Sequence, residues 1–161
     1  MCVKHVQMFE EPIIPIVVDT NVLVPSLYYR SPIAKFILKG NFILVWNNYT
    51  YQEAKRIVEK LSPMYYAKAG VDLDDVLELL TLITMSLGIE VPDMPENWPP
   101  VTNDRKDDPF LWAAQCGNAK YIVSEDGKHM VNLKIYKGIP IGEPGSFFSW
   151  LKSSYPVQIS F

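Results

Sequence analysis

Ile16-Val17-Val18-Asp19-Thr20-Asn21-Val22-Leu23-Val24 is the stretch that decides the fold. A short apolar run ends in an acid, two small polar residues follow, and apolar residues then resume. This pattern describes a buried β-strand that delivers a carboxylate to the rim of a sheet and passes directly into a helix. Ligands of open α/β sheets bind at the carboxyl ends of the strands. Asp19 therefore has two readings: a site residue at the sheet edge, or the cap of the helix that follows.

Working outward, Ile13 to Val18 reads as the first strand, after a lead-in of residues 1 to about 12 closed by Pro12 and Pro15. It lacks polar alternation, as strands buried on both faces of a parallel sheet do. Asn21 to Tyr29 is a short helix. Ser31-Pro32 starts a second helix, which reaches about Lys39 and ends at Gly40. Phe42 to Trp46 is the second strand. Asn47 to Leu61 is a helix with Ala54, Ile57, Val58 and Leu61 on one face, and Pro63 to Gly70 is a further turn. Asp72 caps a helix with a stripe of Leu73, Val76, Leu77, Leu80, Ile83 and Leu87, ending at Gly88. Ile89 to Val91 is a short strand.

Pro92 to Lys106 is a proline-rich connection without assigned secondary structure. Asp107 or Asp108 opens a helix with Phe110, Leu111 and Ala114 inward, stopped by Gly117-Asn118. Lys120 to Ser124 is a strand, Glu125-Asp126-Gly127 a turn, His129 to Leu133 a short helix and Ile139 to Ile141 a strand. Gly145 to Lys152 is a last helix, and Val157 to Phe161 an edge strand. Strands that alternate with helices predict one α/β domain over residues 1–161, with a mostly parallel sheet covered on both faces.

Composition narrows the function. The chain is 48% hydrophobic and 20% charged, an ordinary globular balance. Cys2 and Cys116 are too few and too far apart for a disulfide framework or a zinc site. The start has no signal-peptide pattern and no apolar run is long enough to span a membrane, so a cytoplasmic location is expected. The net charge of −3 argues against a stable nucleic-acid reader. It argues less against a metal-dependent nuclease, because two bound divalent cations would more than offset it at the site.

Asp19, Glu53, Asp107 and Asp126 fall at corresponding places in these units. Right-handed crossovers can bring all of them to one edge of the sheet. Clustered carboxylates repel one another, and hard cations with oxygen preference, Mg²⁺ or Mn²⁺, explain such a cluster. Each acid also has an ordinary reading. Thr50-x-x-Glu53 matches a capping box, although Glu53 is freer if Asn47 is the cap. Asp104, Asp107 and Asp108 precede a helix, and Asp126-Gly127 is turn chemistry.

VVDTNVLV, the acid in YQEAKRIV, KDDPFLWAA and KYIVSEDGKHM together resemble a PIN-domain ribonuclease. The resemblance runs from about Ile13 to Lys152. IPIGEPGSFFSWL is similar to the C-terminal strand and helix of the branch described as toxins of toxin–antitoxin pairs. The resemblance implies a Rossmann-like three-layer α/β/α sandwich with a mostly parallel central sheet. It also implies metal-assisted hydrolysis of RNA phosphodiesters with Mg²⁺ or Mn²⁺, a small antitoxin partner and a homodimer.

Carried over by position, Asp19, Glu53, Asp107 and Asp126 are the catalytic metal ligands, with Asp108 the rival of Asp107. Asn21 and Ser124 are supporting residues. Lys128 stands where a further acid is frequent, which keeps open a catalytically silent module that binds RNA or a protein. Arg30, Lys35, Arg105, Lys106 and Lys128 are candidates for phosphate contacts. A haloacid-dehalogenase-type phosphatase would want an acid at Asn21, and a receiver domain a phosphoacceptor at Trp46 or Asn47; neither is present. His5 and His129 are read as surface or helix-end residues. Tyr49, Tyr51, Tyr65 and Tyr66 are read as core or self-association residues rather than base-stacking ones. Trp98 is read as an exposed aromatic, and Trp46, Trp112 and Trp150 as core.

Overall fold

A computed structural model describes residues 13–155. The lead-in of residues 1–12 and the expected edge strand at 157–161 lie outside the described residues. The two longest apolar runs become β1 (Ile14–Val18) and β2 (Phe42–Trp46), which pair in parallel with Ile14 opposite Phe42 and Ile16 opposite Leu44. Between them run α1 (Thr20–Tyr29) and α2 (Pro32–Leu38). After β2 come α3 (Asn48–Ala69) and α4 (Leu73–Thr81), then β3 (Ile89–Glu90). The chain returns through α5 (Asp108–Cys116) to β4 (Tyr121–Val123). A hairpin of β5 (Ile135–Tyr136) and β6 (Ile139–Gly142) leads into α6 (Pro144–Ser154).

The strand order is β3-β2-β1-β4-β6-β5, and only β5 is antiparallel to its neighbour. The chain winds outward from β1 to β3 and then crosses back to the other side of β1. The topological switch therefore lies between β1 and β4, where Val18 pairs with Val123. This is the crevice that open α/β sheets use for ligands.

Strand alternation divides the core. Ile14, Ile16, Val18, Phe42, Leu44, Tyr121 and Val123 face a layer built from α1, α2, α3, α4 and α6. Val17, Val45, Ile122 and Ile141 face α5. The result is an α/β/α sandwich in which one side is much thinner. Half-buried Trp98, in the 92–106 connection, packs against Trp112 and Tyr136 at ring separations of 5.6 and 6.4 Å. It is thus a packing residue of the thin layer rather than an exposed aromatic. No helix among the described residues is long and apolar enough to cross a membrane.

Three elements differ from the sequence expectation. α3 does not stop at Leu61 but continues through Pro63. A proline inside a helix costs about 3 kcal/mol. The loss is opposed by Tyr65, which is buried and stacks on Tyr28 at 4.0 Å. The helix beyond Thr81 widens into a π-turn over Leu82–Ser86. There the Trp46 indole donates to the Thr84 carbonyl, and the Thr84 hydroxyl donates back to Leu80. The strand β5 was not expected at all. Its two-residue turn is Lys137-Gly138, with φ of 47° and 81°, a geometry more often signalled by Asn-Gly.

Candidate active site

Asp19 follows β1 and is 5% exposed. It both caps α1 and stands at the edge of the sheet. One carboxylate oxygen accepts from the Thr20 N–H at 2.8 Å at the start of α1, and the other accepts from the Ser124 hydroxyl at 2.7 Å. Ser124, buried at the end of β4, also accepts the Asp126 N–H at 3.0 Å. One hydroxyl thus ties the acid after β1 to the loop after β4. Asn21 ties the same loop from α1 by accepting the Glu125 N–H at 3.2 Å. Asp126 accepts the N–H groups of Lys128 and His129, each at 3.1 Å, which orders its own turn.

Glu53 is free to face the sheet edge because Asn47 caps α3. The Asn47 side chain accepts the Thr50 N–H at 2.9 Å, and the Thr50 hydroxyl accepts the Asn47 N–H at 3.1 Å. The capping box therefore closes without Glu53, which instead accepts the Thr20 hydroxyl at 2.5 Å. Thr20, which bonds both Asp19 and Glu53, is a residue that the sequence reading passed over, although it directly follows Asp19.

The adjacent aspartates have opposite fates. Asp108 is fully buried and turned to the 92–106 connection. It accepts the Thr102 N–H at 2.9 Å and hydroxyl at 2.8 Å, and pairs with Arg105 at 3.0 Å. Burial alone would raise its pKa, but these bonds hold it below the usual carboxylate value. Asp107 makes no capping bond, and its Oδ2 is buried without a hydrogen-bond partner.

Asp19, Asn21, Glu53, Asp107 and Asp126 line one cavity of about 400 Å³, whose apolar wall includes Val24, Pro25, Ile57 and Leu61. Asp108 is not in this lining. Burial pushes Asp107 up to about 7, with Asp19, Asp126 and Asp104 adding repulsion. Burial likewise pushes Asp19 up to about 6 against its bonds to Ser124 and Thr20, with Glu53 and Asp126 contributing. Among the described residues the one salt bridge is Arg105–Asp108, so none of the four cavity acids has a basic partner.

Among the described residues no group of three or more His, Cys, Asp or Glu side chains forms a ready-made metal-binding set. The donor chemistry nevertheless fits a hard cation, because the acids share a cavity and one offers a sealed, unpartnered oxygen.

The basic candidates are dispersed. Arg30 caps the far end of ten-residue α1, about 15 Å along the helix from Asp19. Lys35 is exposed on α2, outside the acid cavity. Arg105 is committed to Asp108 and to the Glu96 carbonyl. Lys106 lines a groove that contains Glu53, and Lys128 is exposed beside Asp126. Arg56 in the same groove was not anticipated, although it lies three residues after Glu53 and so shares its helix face.

The PIN domain family model matches residues 15–128, well over half of the chain and all four cavity acids. The chain belongs to the PIN domain family. Its fold is accordingly a nuclease-type fold. The crystal structure of PAE2754 from Pyrobaculum aerophilum superposes with a TM-score of 0.55 at 14% identity, covering 91% of this chain and 95% of that one. This likeness supports the three-layer PIN-like architecture. No curated protein matches the chain significantly.

Proposed function

We propose that this protein is a metal-dependent endoribonuclease. The observation that carries the reading is the set of four acids around one cavity, without basic partners, in a PIN domain. Asp19, Glu53, Asp107 and Asp126 would hold Mg²⁺ or Mn²⁺. The cation supplies charge neutralisation at the phosphodiester and lowers the pKa of a bound water. Ser124 and the Thr20 N–H orient Asp19, and the Thr20 hydroxyl orients Glu53. Asp107 contributes the oxygen that has no protein partner.

The test is incubation with RNA of mixed structure in Mn²⁺, in Mg²⁺ and in EDTA, beside Asp19→Asn/Asp126→Asn. Metal-dependent cleavage that the variant loses is expected. Absence of cleavage, with Mn²⁺ still bound by calorimetry, would replace this reading with the silent RNA- or protein-binding module. Absence of both would return the acids to capping and turn roles.

The likeness of IPIGEPGSFFSWL to the toxin branch supports a finer proposal. The enzyme would be a cytoplasmic, homodimeric toxin restrained by a small antitoxin. An active monomer indifferent to any co-encoded small protein would overturn that part alone.

A further inference from the structure

A second cavity, of about 220 Å³, meets the acid cavity at Asn21 and Pro25, which line both. It is enclosed by α1, the starts of α2 and α6, and Glu125 from the loop after β4. It is smaller than the roughly 300–1,000 Å³ that takes a drug-sized ligand, and suits a single flat ring system. Val22, Pro25, Ile33 and Phe148 make its walls apolar. Among the described residues no lysine or arginine lines it, while the Glu125 carboxylate does. A phosphate group is therefore repelled from it. The occupant that fits is flat, uncharged and a hydrogen-bond donor.

The polar groups at its edge specify that occupant further. The Asn21 side-chain oxygen accepts the Glu125 N–H at 3.2 Å. This bond fixes the orientation of the amide and leaves its NH₂ group as a donor, without a hydrogen-bond partner among the described residues. The Glu125 carboxylate is exposed and in no salt bridge, and it can only accept. The Ser26 hydroxyl is spent on the Leu23 carbonyl at 2.6 Å. The cavity thus offers one donor and, on the neighbouring side chain, a two-oxygen acceptor. RNA bases are read on their Watson–Crick edges. Guanine alone presents two adjacent N–H donors there, N1–H and the 2-amino group, followed by an acceptor, O6. Adenine and cytosine set a ring-nitrogen lone pair beside their amino group, and uracil flanks its N3–H with two carbonyls. Each of these turns a lone pair toward the carboxylate. Resting on the endoribonuclease reading, we propose that this cavity takes a guanine base of the RNA next to the cut. Its N1–H and 2-amino group donate to Glu125, and its O6 accepts from Asn21. The enzyme then cuts beside guanine.

The test uses the full chain in two arms. In EDTA, ligand-observed NMR titrations compare guanosine, adenosine, cytidine, uridine and inosine, which are uncharged and so escape repulsion by the acids. Guanosine should bind at least about tenfold more tightly than the other RNA nucleosides. Inosine, which lacks only the 2-amino group, should bind several-fold more weakly than guanosine. Glu125→Gln replaces one acceptor oxygen with a donor and keeps the backbone bond to Asn21. It should bind guanosine and inosine equally and weakly. In Mn²⁺, the ends of fragments from a random-sequence RNA are sequenced. Wild-type cuts should fall beside guanine, and Glu125→Gln should scatter them. A melting curve checks that the variant is folded.

Equal binding of the four RNA nucleosides, or binding of none, would overturn the assignment. So would a folded Glu125→Gln that keeps the preference for guanosine. Wild type that cuts RNA without regard to guanine removes the cavity assignment alone. Selective guanosine binding without any metal-dependent cleavage removes the ribonuclease reading, and with it the placing of this base beside a cut.

Discussion

Asp107→Asn is expected to make the metal-free protein more stable near neutral pH. Asp107 has a folded pKa of about 7 against an ordinary value of 3.8. Between those values the native state keeps a proton that the unfolded chain has released. The stability it contributes is therefore complete below about pH 4 and is lost as pH rises through about 7. The full rise from 3.8 to about 7 would correspond to about 4 kcal/mol. The residue is part exposed, so screening reduces the figure to about 1–2 kcal/mol. For a chain of this length that is roughly 2–8 °C in Tm. Differential scanning calorimetry in EDTA should show the gain at about pH 8 and little of it at about pH 4. Added Mn²⁺ should raise the wild-type Tm and move the variant less. Equal melting at pH 8, or a less stable variant, would refute the idea that Asp107 sits in an uncompensated acidic field.

Four further outcomes are expected. Ser124→Ala leaves the Asp126 N–H without its acceptor and removes one of the two donors to Asp19, the Thr20 N–H remaining. It should cost about 1–3 kcal/mol in urea unfolding and move the acidic limb of the pH–rate profile upward, since Asp19 loses a bond that favours its ionised form. Asp108→Ala removes the carboxylate that holds Thr102 and Arg105. It should open the 92–106 connection to limited proteolysis, at a cost of about 2–4 kcal/mol. Asn47→Ala should cost about 1–2 kcal/mol by loss of the α3 cap, read from the Tm. Gly117→Ala would place a Cβ 2.4 Å from Val45 Cγ1, and overpacking there should cost about 1–3 kcal/mol in urea unfolding.

The parts of the fold carried by local pattern were legible in the sequence. The unbroken apolar runs at 14–18 and 42–46 have one reading each, and the acid after β1 does stand at the switch point. What escaped depended on partners distant in the chain. Pro63 is a helix breaker until Tyr65 is seen stacked on Tyr28. Thr50-x-x-Glu53 and Asn47-x-x-Thr50 are competing caps on paper, and the hydrogen bonds of Asn47 choose between them. Asp107 and Asp108 are the same residue type side by side. Only the arrival of Thr102 and Arg105 shows which one is consumed by the connection. Charge alone likewise could not rank the basic residues, because Arg105 is spent inside the fold while Arg56 is presented to the groove.

The Ser124–Asp19 bond spans 105 positions of the chain. During synthesis β1, α1 and α3, with two of the acids, emerge long before the loop that completes the cavity. Until β4 has been made and has inserted beside β1, the nascent chain holds an incomplete set of carboxylates with no Ser124 to orient Asp19. A truncated translation product ending before residue 121 therefore lacks both Ser124 and Asp126 and cannot form this cavity. The producing cell meets the finished cavity only after nearly the whole domain has left the ribosome.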